Sequence, residues 1–544
     1  MEATTVASRA SQTPRLEDDP LVRGFGRFAA DAPLPGQAYA YFVRSPRAFA
    51  DVRAIDAAAA RAAPGVLAVL TADDMEGLGN VSQHPPLNGR GGTKLIVPHR
   101  PALAKTVRHV GEAVAVVIAE TPAAAQDAAE LVAVDYAERT PIVDLREAVR
   151  PGAPQVWPEA PGNVAVDWPG LAPDPEGNAE EVERVIASAK HVARVSVTHQ
   201  RLVVNSMEPR GATASYDPSA ESYFLRCCSQ SARALRDGLA PILGVPNQRL
   251  RVTTEDVGGA FGLKTGPYPE YLAILVAARK LGRPVHWMSS RAEAFLSDNH
   301  ARDAFSEVEL ALDERGKFLA LRVRHLGNMG AYIGAVGANI QTVNLTRCLP
   351  GMYDIPRIDI GVCCVFTNTT TTAPYRGAGR PEANYMLERV VDEAARVTGI
   401  DPVRLRRRNF IKPKQMPYKT AVGTTIDSGE FEALLDKALA LADTDGFKKR
   451  RREAGKRGKY RGLGISCMLE HAGGFPLEGT ALTFPGGEKL VLGLNVQSTG
   501  QGHATVFIPM LAQRLGIKPQ QIEHRQGDSA MEIAAMRRSV RDRR

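Results

Sequence analysis

Three glycine-rich segments carry the side chains best suited to chemistry: Asp256 to Lys264 (DVGGAFGLK), Thr372 to Ala383 (TAPYRGAGRPEA) and Gln497 to Thr505 (QSTGQGHAT). Each sets bare backbone beside hydrogen-bonding side chains and precedes a helix-like pattern, so together they describe a cleft for a large, anionic, polar cofactor. In the first, Gly258, Gly259 and Gly262 permit positive φ and close approach, and Phe261 can wedge beside a flat ring. It is neither the G-x-G-x-x-G of a dinucleotide fold nor a P-loop, and taken alone it is equally a tight turn. In the second, Arg376 and Arg380 flank Gly377, Ala378 and Gly379, a spacing that suits an oxyanion or pyrophosphate but also a solvated surface loop. In the third, Gln501 and His503 flank Gly502 ahead of the amphipathic run His503 to Leu515, where amides at a helix start suit phosphate or an amide-rich heterocycle.

The elements that must hold these loops alternate along the chain. Tyr39 to Val43, Val66 to Leu70 and Ala113 to Ala119 (AVAVVIA) read as strands, followed by a helix from Pro122 to Leu131 and a strand from Val132 to Tyr136. This predicts a compact α+β domain with its own sheet. Seven prolines between 151 and 180 predict an extended connector rather than a packed element. Beyond it, Ser229 to Leu243 and Pro267 to Leu281 read as helices, and Val285 to Met288 as a strand. Phe305 to Leu312 and Lys317 to Leu326 read as a hairpin closed by DERG, and Pro381 to Gly399 as a helix ending in glycine.

Composition bounds the function. At 544 residues, 44% hydrophobic and 24% charged, the chain is long enough for two to four domains at about 150 residues each. The N-terminus has no apolar core of a signal peptide and no stretch reaches about 20 apolar residues, so a cytoplasmic location without membrane association is expected. Six cysteines without a C-x-x-C indicate buried thiols rather than disulfides, zinc or iron–sulfur ligands. The net charge of +8 concentrates in residues 448–461 (KKRRREAGKRGKYR). That run reads as a solvated linker between a helix, Phe431 to Leu441, and a strand, Gly462 to Met468. Nucleic-acid binding is the alternative, disfavoured by the lack of interleaved aromatics.

The three loops, together with RSPRAFADV (44–52), VRHVGEAVAVVIAE (107–120), SMEPRGATASYDP (206–218) and RLRRRNFI (404–411), resemble the molybdopterin-binding large subunit of the xanthine dehydrogenase and aldehyde oxidase family, which includes aerobic carbon monoxide dehydrogenases. The resemblance runs from about Gly24 to Ala534 and implies a mixed α/β multidomain fold. Its parts would be an N-terminal extension (1–23), an α/β hammerhead domain (24–145), the proline-rich connector (146–180) and a first cofactor domain (181–430). A second, incomplete cofactor domain (431–534) and an unrelated basic tail (535–544) would follow. It places Gln230 close to an oxo ligand of molybdenum, and Arg376 near metal and substrate. Gly259, Phe261 and Gly262 would lie on the pterin side, with Gly377 and Gly379 in the second loop. Gln501, Gly502 and His503 would sit near the dithiolene, and Asp528 at the dinucleotide tail. No side chain ligates the metal, which the cofactor's own sulfurs hold.

The implied cofactor is molybdenum bound by molybdopterin cytosine dinucleotide. The implied partners are a small [2Fe-2S] subunit and a medium FAD subunit in a dimer of heterotrimers, with electrons leaving through them. The implied reaction inserts water-derived oxygen into a C–H bond of a small-molecule substrate. Gly377 stands where carbon monoxide dehydrogenases carry a copper-binding cysteine, which argues against copper. Thr265 stands where purine-oxidising relatives carry glutamate, leaving an aldehyde or heterocycle as substrate. The family's G-x-G-E segment, whose glutamate acts as base, has no counterpart before the ending MEIAAMRRSVRDRR. A truncated chain, inactive alone, is therefore expected, with a non-catalytic fragment that folds without cofactor as the alternative.

Overall fold

The run AVAVVIA forms the strand Ala113–Ala119 with every residue buried, as small and β-branched side chains do in a sheet covered on both faces. In the computed structural model, which describes residues 14–470, 479–531 and 533, this strand belongs to a seven-stranded sheet. The order is Leu250–Thr253, Ser222–Cys227, Gly211–Asp217, Val285–Met288, Ala38–Arg44, Ala113–Ala119 and Val66–Thr71. Ala38–Arg44 pairs antiparallel with Ala113–Ala119 and parallel with Val285–Met288, Ala38 facing Val285 and Tyr39 facing His286. The strands Ala38–Arg44, Val66–Thr71 and Ala113–Ala119, expected in a sheet of the first domain alone, are thus shared with the later chain. Alternation along the early strands does not reveal that one of them is an interior strand awaiting a partner far down the chain. A smaller sheet of Thr106–Val107, Ala50–Asp56 and Ala133–Glu138 does belong to the first part alone. The helix Pro122–Glu130 is capped by the Thr121 side chain and has proline in its first turn, as its sequence predicts.

A five-stranded sheet forms the second layer, in the order Val164–Trp168, Ile358–Phe366, Phe318–Gly330, Ala304–Leu312 and His191–His199. The predicted hairpin closes where the Asp313 carboxylate accepts hydrogen bonds from the amides of Arg315 (2.9 Å) and Lys317 (2.7 Å). The helix Arg380–Thr398 covers this sheet with Met386, Leu387, Val390, Val391 and Ala394 and ends at Gly399 in the left-handed conformation.

Three further readings are corrected. Residues 151–180 are packed structure: Val164–Trp168 is an edge strand of the five-stranded sheet, and Trp157 and Trp168 are buried, Trp157 Nε1 donating to Ala331 O at 2.7 Å. The prolines punctuate the ends instead, Pro175 opening the helix Pro175–Ser188. The basic run is helical over Phe447–Gly455, consistent with the good helix propensity of lysine, arginine and glutamate, and Arg450 Nη2 donates to the carbonyls of Ala442 and Asp443. Gly462 to Met468 forms no strand, because side chains take its backbone: Arg406 Nη2 donates to Ile465 O at 3.0 Å and Glu388 Oε2 accepts from Cys467 N at 2.8 Å.

The last sheet joins Thr480–Thr483, Leu490–Leu494 and Ile522–Arg525, and the helix His503–Leu515 packs Ile508 and Ala512 against it. The basic tail expected over 535–544 lies outside the described residues. Among the described residues no helix is long and apolar enough to cross a membrane.

Candidate cofactor site

Gln230 lies between the strand Ser222–Cys227 and the helix Ala232–Leu243. Its side-chain Oε1 accepts from Gly262 N at 2.9 Å and from the Thr265 hydroxyl at 3.1 Å. Two donors fix the oxygen end, so Nε2 is turned outward as a donor, without a hydrogen-bond partner among the described residues. The backbone around it joins all three loops. Gln230 N donates to Lys264 O (3.1 Å), Gln497 N donates to Gln230 O (3.1 Å), and Arg376 N donates to Phe261 O (2.9 Å).

Close approach explains the glycine at 262. With φ at +100°, a Cβ there would lie 2.6 Å from Pro374 O, so the first loop lies directly against the second. Phe261 is itself left-handed at φ +54° and 42% exposed, with its ring against Gly259. Behind the loop, Glu208 and Lys264 form a buried ion pair at 2.9 Å, and the Glu208 carboxylate also accepts from Gly258 N (2.9 Å) and Ala29 N (3.1 Å). Beneath it Cys227 and Cys228 are buried, and burial pushes both thiols up.

Arg376 projects an exposed side chain without an ion pair among the described residues, while Arg302 Nη2 donates to its carbonyl at 2.7 Å and Arg302 pairs with Glu382 at 3.2 Å. Gly377 has φ +98° and a Cβ there would fall 2.3 Å from Pro381 Cγ. Gly379 then caps the helix Arg380–Thr398.

The third loop is held differently. The Gln501 amide is spent within its own turn, accepting from Thr499 N at 2.5 Å and donating to Gln497 O at 3.3 Å. Gly502 caps the helix His503–Leu515, whose first amides are already taken: Glu17 Oε1 accepts from Ala504 N (3.0 Å) and Thr505 N (3.3 Å). Burial raises the Glu17 carboxyl, but the Thr505 hydroxyl and these amides outweigh it and hold it below its ordinary value. His503 packs its ring on Phe507 with Nδ1 buried and unpartnered. Asp528 is paired with Arg251 at 2.7 Å.

The structure therefore brings Gln230 and the first loop, with Gly259, Phe261 and Gly262, against the second loop, which carries Arg376, Gly377 and Gly379. Gln501, Gly502, His503 and Asp528 adjoin this group through Gln497 and through Thr254 N, which donates to Gly527 O at 2.7 Å. Sequence reasoning missed Glu17, Glu208 and Arg302, which hold the loops from behind. Only Glu208 lay in a stretch singled out beforehand.

A large polar group carrying both donors and acceptors fits these residues. Besides Gln230 Nε2, the buried Thr254 Oγ1, Gln497 Oε1 and His503 Nδ1 lack partners near the third loop, and bare glycine backbone lines the first two.

Comparison with known families decides what kind of cleft this is. Residues 23–140 match the aldehyde oxidase and xanthine dehydrogenase a/b hammerhead domain, and residues 157–410 and 437–536 each match a molybdopterin cofactor-binding domain. The carbon monoxide dehydrogenase large chain of Hydrogenophaga pseudoflava is 30% identical over 96% of this chain and 67% of its own length. The chain belongs to the aldehyde oxidase and xanthine dehydrogenase family of molybdopterin-binding large subunits. Within that family it is also similar to the nicotine 6-hydroxylase large subunit of Paenarthrobacter nicotinovorans, at 31% identity over 95% of this chain and 64% of the relative. The crystal structure of quinoline 2-oxidoreductase from Pseudomonas putida 86 superposes with a TM-score of 0.87 at 29% identity, covering 96% of this chain and 67% of that one. The chain spans about two thirds of the length of the curated relatives it matches, 64% and 66% for two of them.

Proposed function

We propose that this large subunit serves a molybdenum hydroxylase that inserts water-derived oxygen into a C–H bond of an aromatic heterocycle or aldehyde. The substrate and water together lose two electrons and two protons, and the electrons leave through [2Fe-2S] and FAD subunits in a dimer of heterotrimers. The observation that carries this reading is the orientation of Gln230: Gly262 N and the Thr265 hydroxyl hold Oε1, leaving Nε2 to donate toward an oxo acceptor. When bound, the molybdenum cofactor, taken here as the cytosine dinucleotide form, supplies the oxygen-transfer and two-electron chemistry.

The chain's own residues bind and orient. Phe261 and the glycine backbone would hold the pterin of a bound cofactor, and the exposed Arg376 guanidinium offers a cation to charge developing on the substrate. Gly377 supports a site without copper, since a thiolate side chain there would meet Pro381. Thr265 spends its hydroxyl on Gln230 and offers no carboxylate to a purine.

The test is elemental analysis and acid hydrolysis of the chain purified with its partner subunits from a host able to make the cofactor. Molybdenum together with released CMP, and no copper, is the expected result. Stoichiometric copper, or no molybdenum, would overturn the reading.

A further inference from the structure

A cavity of about 340 Å³ lies between the first domain and the cofactor domain, within the size range of small-molecule sites, about 300–1,000 Å³. One side is Val81, Gln83, His84 and Pro85 with Arg100; the other includes Gly266, Pro267 and the loop from Ile333 to Val336. Gly266 directly follows Thr265, and Ala234 lies in the first turn after Gln230, so a molecule in this cavity sits beside the cofactor cleft.

Arg100 is the unusual member. It is 6% exposed, yet its guanidinium has no hydrogen bond or ion pair among the described residues, only the Tyr332 ring at 5.3 Å. Its backbone is fixed by Asn80 Oδ1, which accepts from Arg100 N at 2.8 Å, and by Val81 N, which donates to its carbonyl at 3.0 Å. The carboxylates lining the small pocket of about 10 Å³ that Arg100 also borders are committed elsewhere. Glu112 accepts from the Tyr332 hydroxyl (2.5 Å) and Arg108 N (2.6 Å), and Glu270 is bound by Arg44 (2.8 Å) and Arg210 (2.9 Å). With those carboxylates held by other donors, the Arg100 guanidinium has no direct partner of its own, and a ligand anion would give it one.

In the same cavity Asn299 Oδ1 is buried and unpartnered, an acceptor waiting for a donor. His84 adds no charge: burial pushes its imidazole below the usual range, and Nδ1 donates to Pro85 O at 2.7 Å. Proline, valine and isoleucine complete the walls.

We propose that this cavity is the substrate chamber and that it selects a small planar aromatic or heteroaromatic carboxylate, anchored by Arg100 and accepting a ring N–H or O–H at Asn299. The proposal rests on the cofactor reading for the word substrate, but the binding itself does not.

The test is calorimetric titration of the chain, purified with its partner subunits from a host able to make the cofactor, with benzoate and with its neutral isostere benzamide, with molybdenum measured on the same preparation. Benzoate is expected to bind at least tenfold more tightly than benzamide, and Arg100→Gln to abolish the preference while Arg100→Lys keeps part of it. Ala234→Trp, at an exposed helix position bordering the cavity, provides a control that does not disturb the core and should weaken both ligands. Equal binding of the two probes overturns the proposal, as does an unchanged preference in a folded Arg100→Gln protein or full benzoate affinity in Ala234→Trp. An Arg100-dependent preference in a molybdenum-free preparation would sustain the chamber and fail the cofactor reading; molybdenum without a preference would do the reverse.

Discussion

Replacing Arg210 with methionine should destabilise the junction between the first domain and the cofactor domain more than any neutral change at its partners. Arg210 is fully buried, with Nε 2.5 Å from Asp298, Nη1 2.9 Å from Glu270 and its guanidinium carbon 3.7 Å from the Tyr268 ring centre. Arg44 completes the group, 2.8 Å from Glu270 and 2.6 Å from Glu293. Two arginines thus face three carboxylates; without Arg210, one faces three, and Asp298 loses the only ion pair it has among the described residues. Breaking a buried pair from one side costs about 3–5 kcal/mol, and the lost cation–π contact adds about 2 kcal/mol, giving about 5–7 kcal/mol. Glu270→Gln leaves two arginines on two carboxylates and weakens two charge-assisted bonds, for about 2–3 kcal/mol. Urea unfolding followed by tryptophan fluorescence suits the comparison, because Trp287 lies 5.1 Å from Arg210. Adding Asp298→Asn to Arg210→Met should restore at least ~2 kcal/mol by removing the stranded charge. An Arg210→Met protein within ~1 kcal/mol of the parent, or no less stable than Glu270→Gln, would refute this account of the network.

The same group has a pH signature. Burial raises the Glu270 carboxyl, but Arg210 and Arg44 outweigh it and hold it well below the usual carboxylate range. Its stabilising contribution is therefore present above about pH 4.3 and lost as pH falls toward the folded-state value, so the deficit of Glu270→Gln against the parent should be smaller at pH 3.5 than at pH 7 in urea unfolding. Gln230→Glu keeps an oxygen for Gly262 N but removes the Nε2 donor; turnover with an artificial acceptor should fall about 100-fold while molybdenum content is unchanged, and unchanged turnover would remove Gln230 from the proposed role. Gly377→Cys places a side chain at φ +98°, 2.3 Å from Pro381 Cγ. It should lower the melting temperature, at a backbone cost of about 1–2 kcal/mol before the clash is counted, and should take up no copper by elemental analysis.

Local signals in the sequence located most elements, because they depend on near neighbours. The alanine-rich helix after Pro122, the hairpin closed by Asp313 and the helix ending at Gly399 all form where periodicity and capping residues place them. The three loops were legible because glycine beside arginine, glutamine and histidine is uncommon in packed elements. What could not be read depends on residues far apart. Glu208 meets Lys264 across 56 positions and Glu17 meets Ala504 across 487, and no local pattern encodes either pairing. Proline content misled at 151–180, since prolines at element ends are compatible with packing between them. The stretch 462–468 misled in the opposite direction: its composition suits a strand, but Arg406 and Glu388 take its backbone first.

The parallel pairing of Ala38–Arg44 with Val285–Met288 also bears on how the chain leaves the ribosome. At about 5–20 residues per second, the strand ending at Arg44 emerges roughly ten to fifty seconds before the partner that completes its pairing. During that interval one flank of Ala38–Arg44 is an open edge with unused amides and carbonyls, a template for pairing with a neighbouring nascent chain. Slower translation between these positions would lengthen the exposure, and a chaperone that shields strand edges would be needed most at this stage of synthesis.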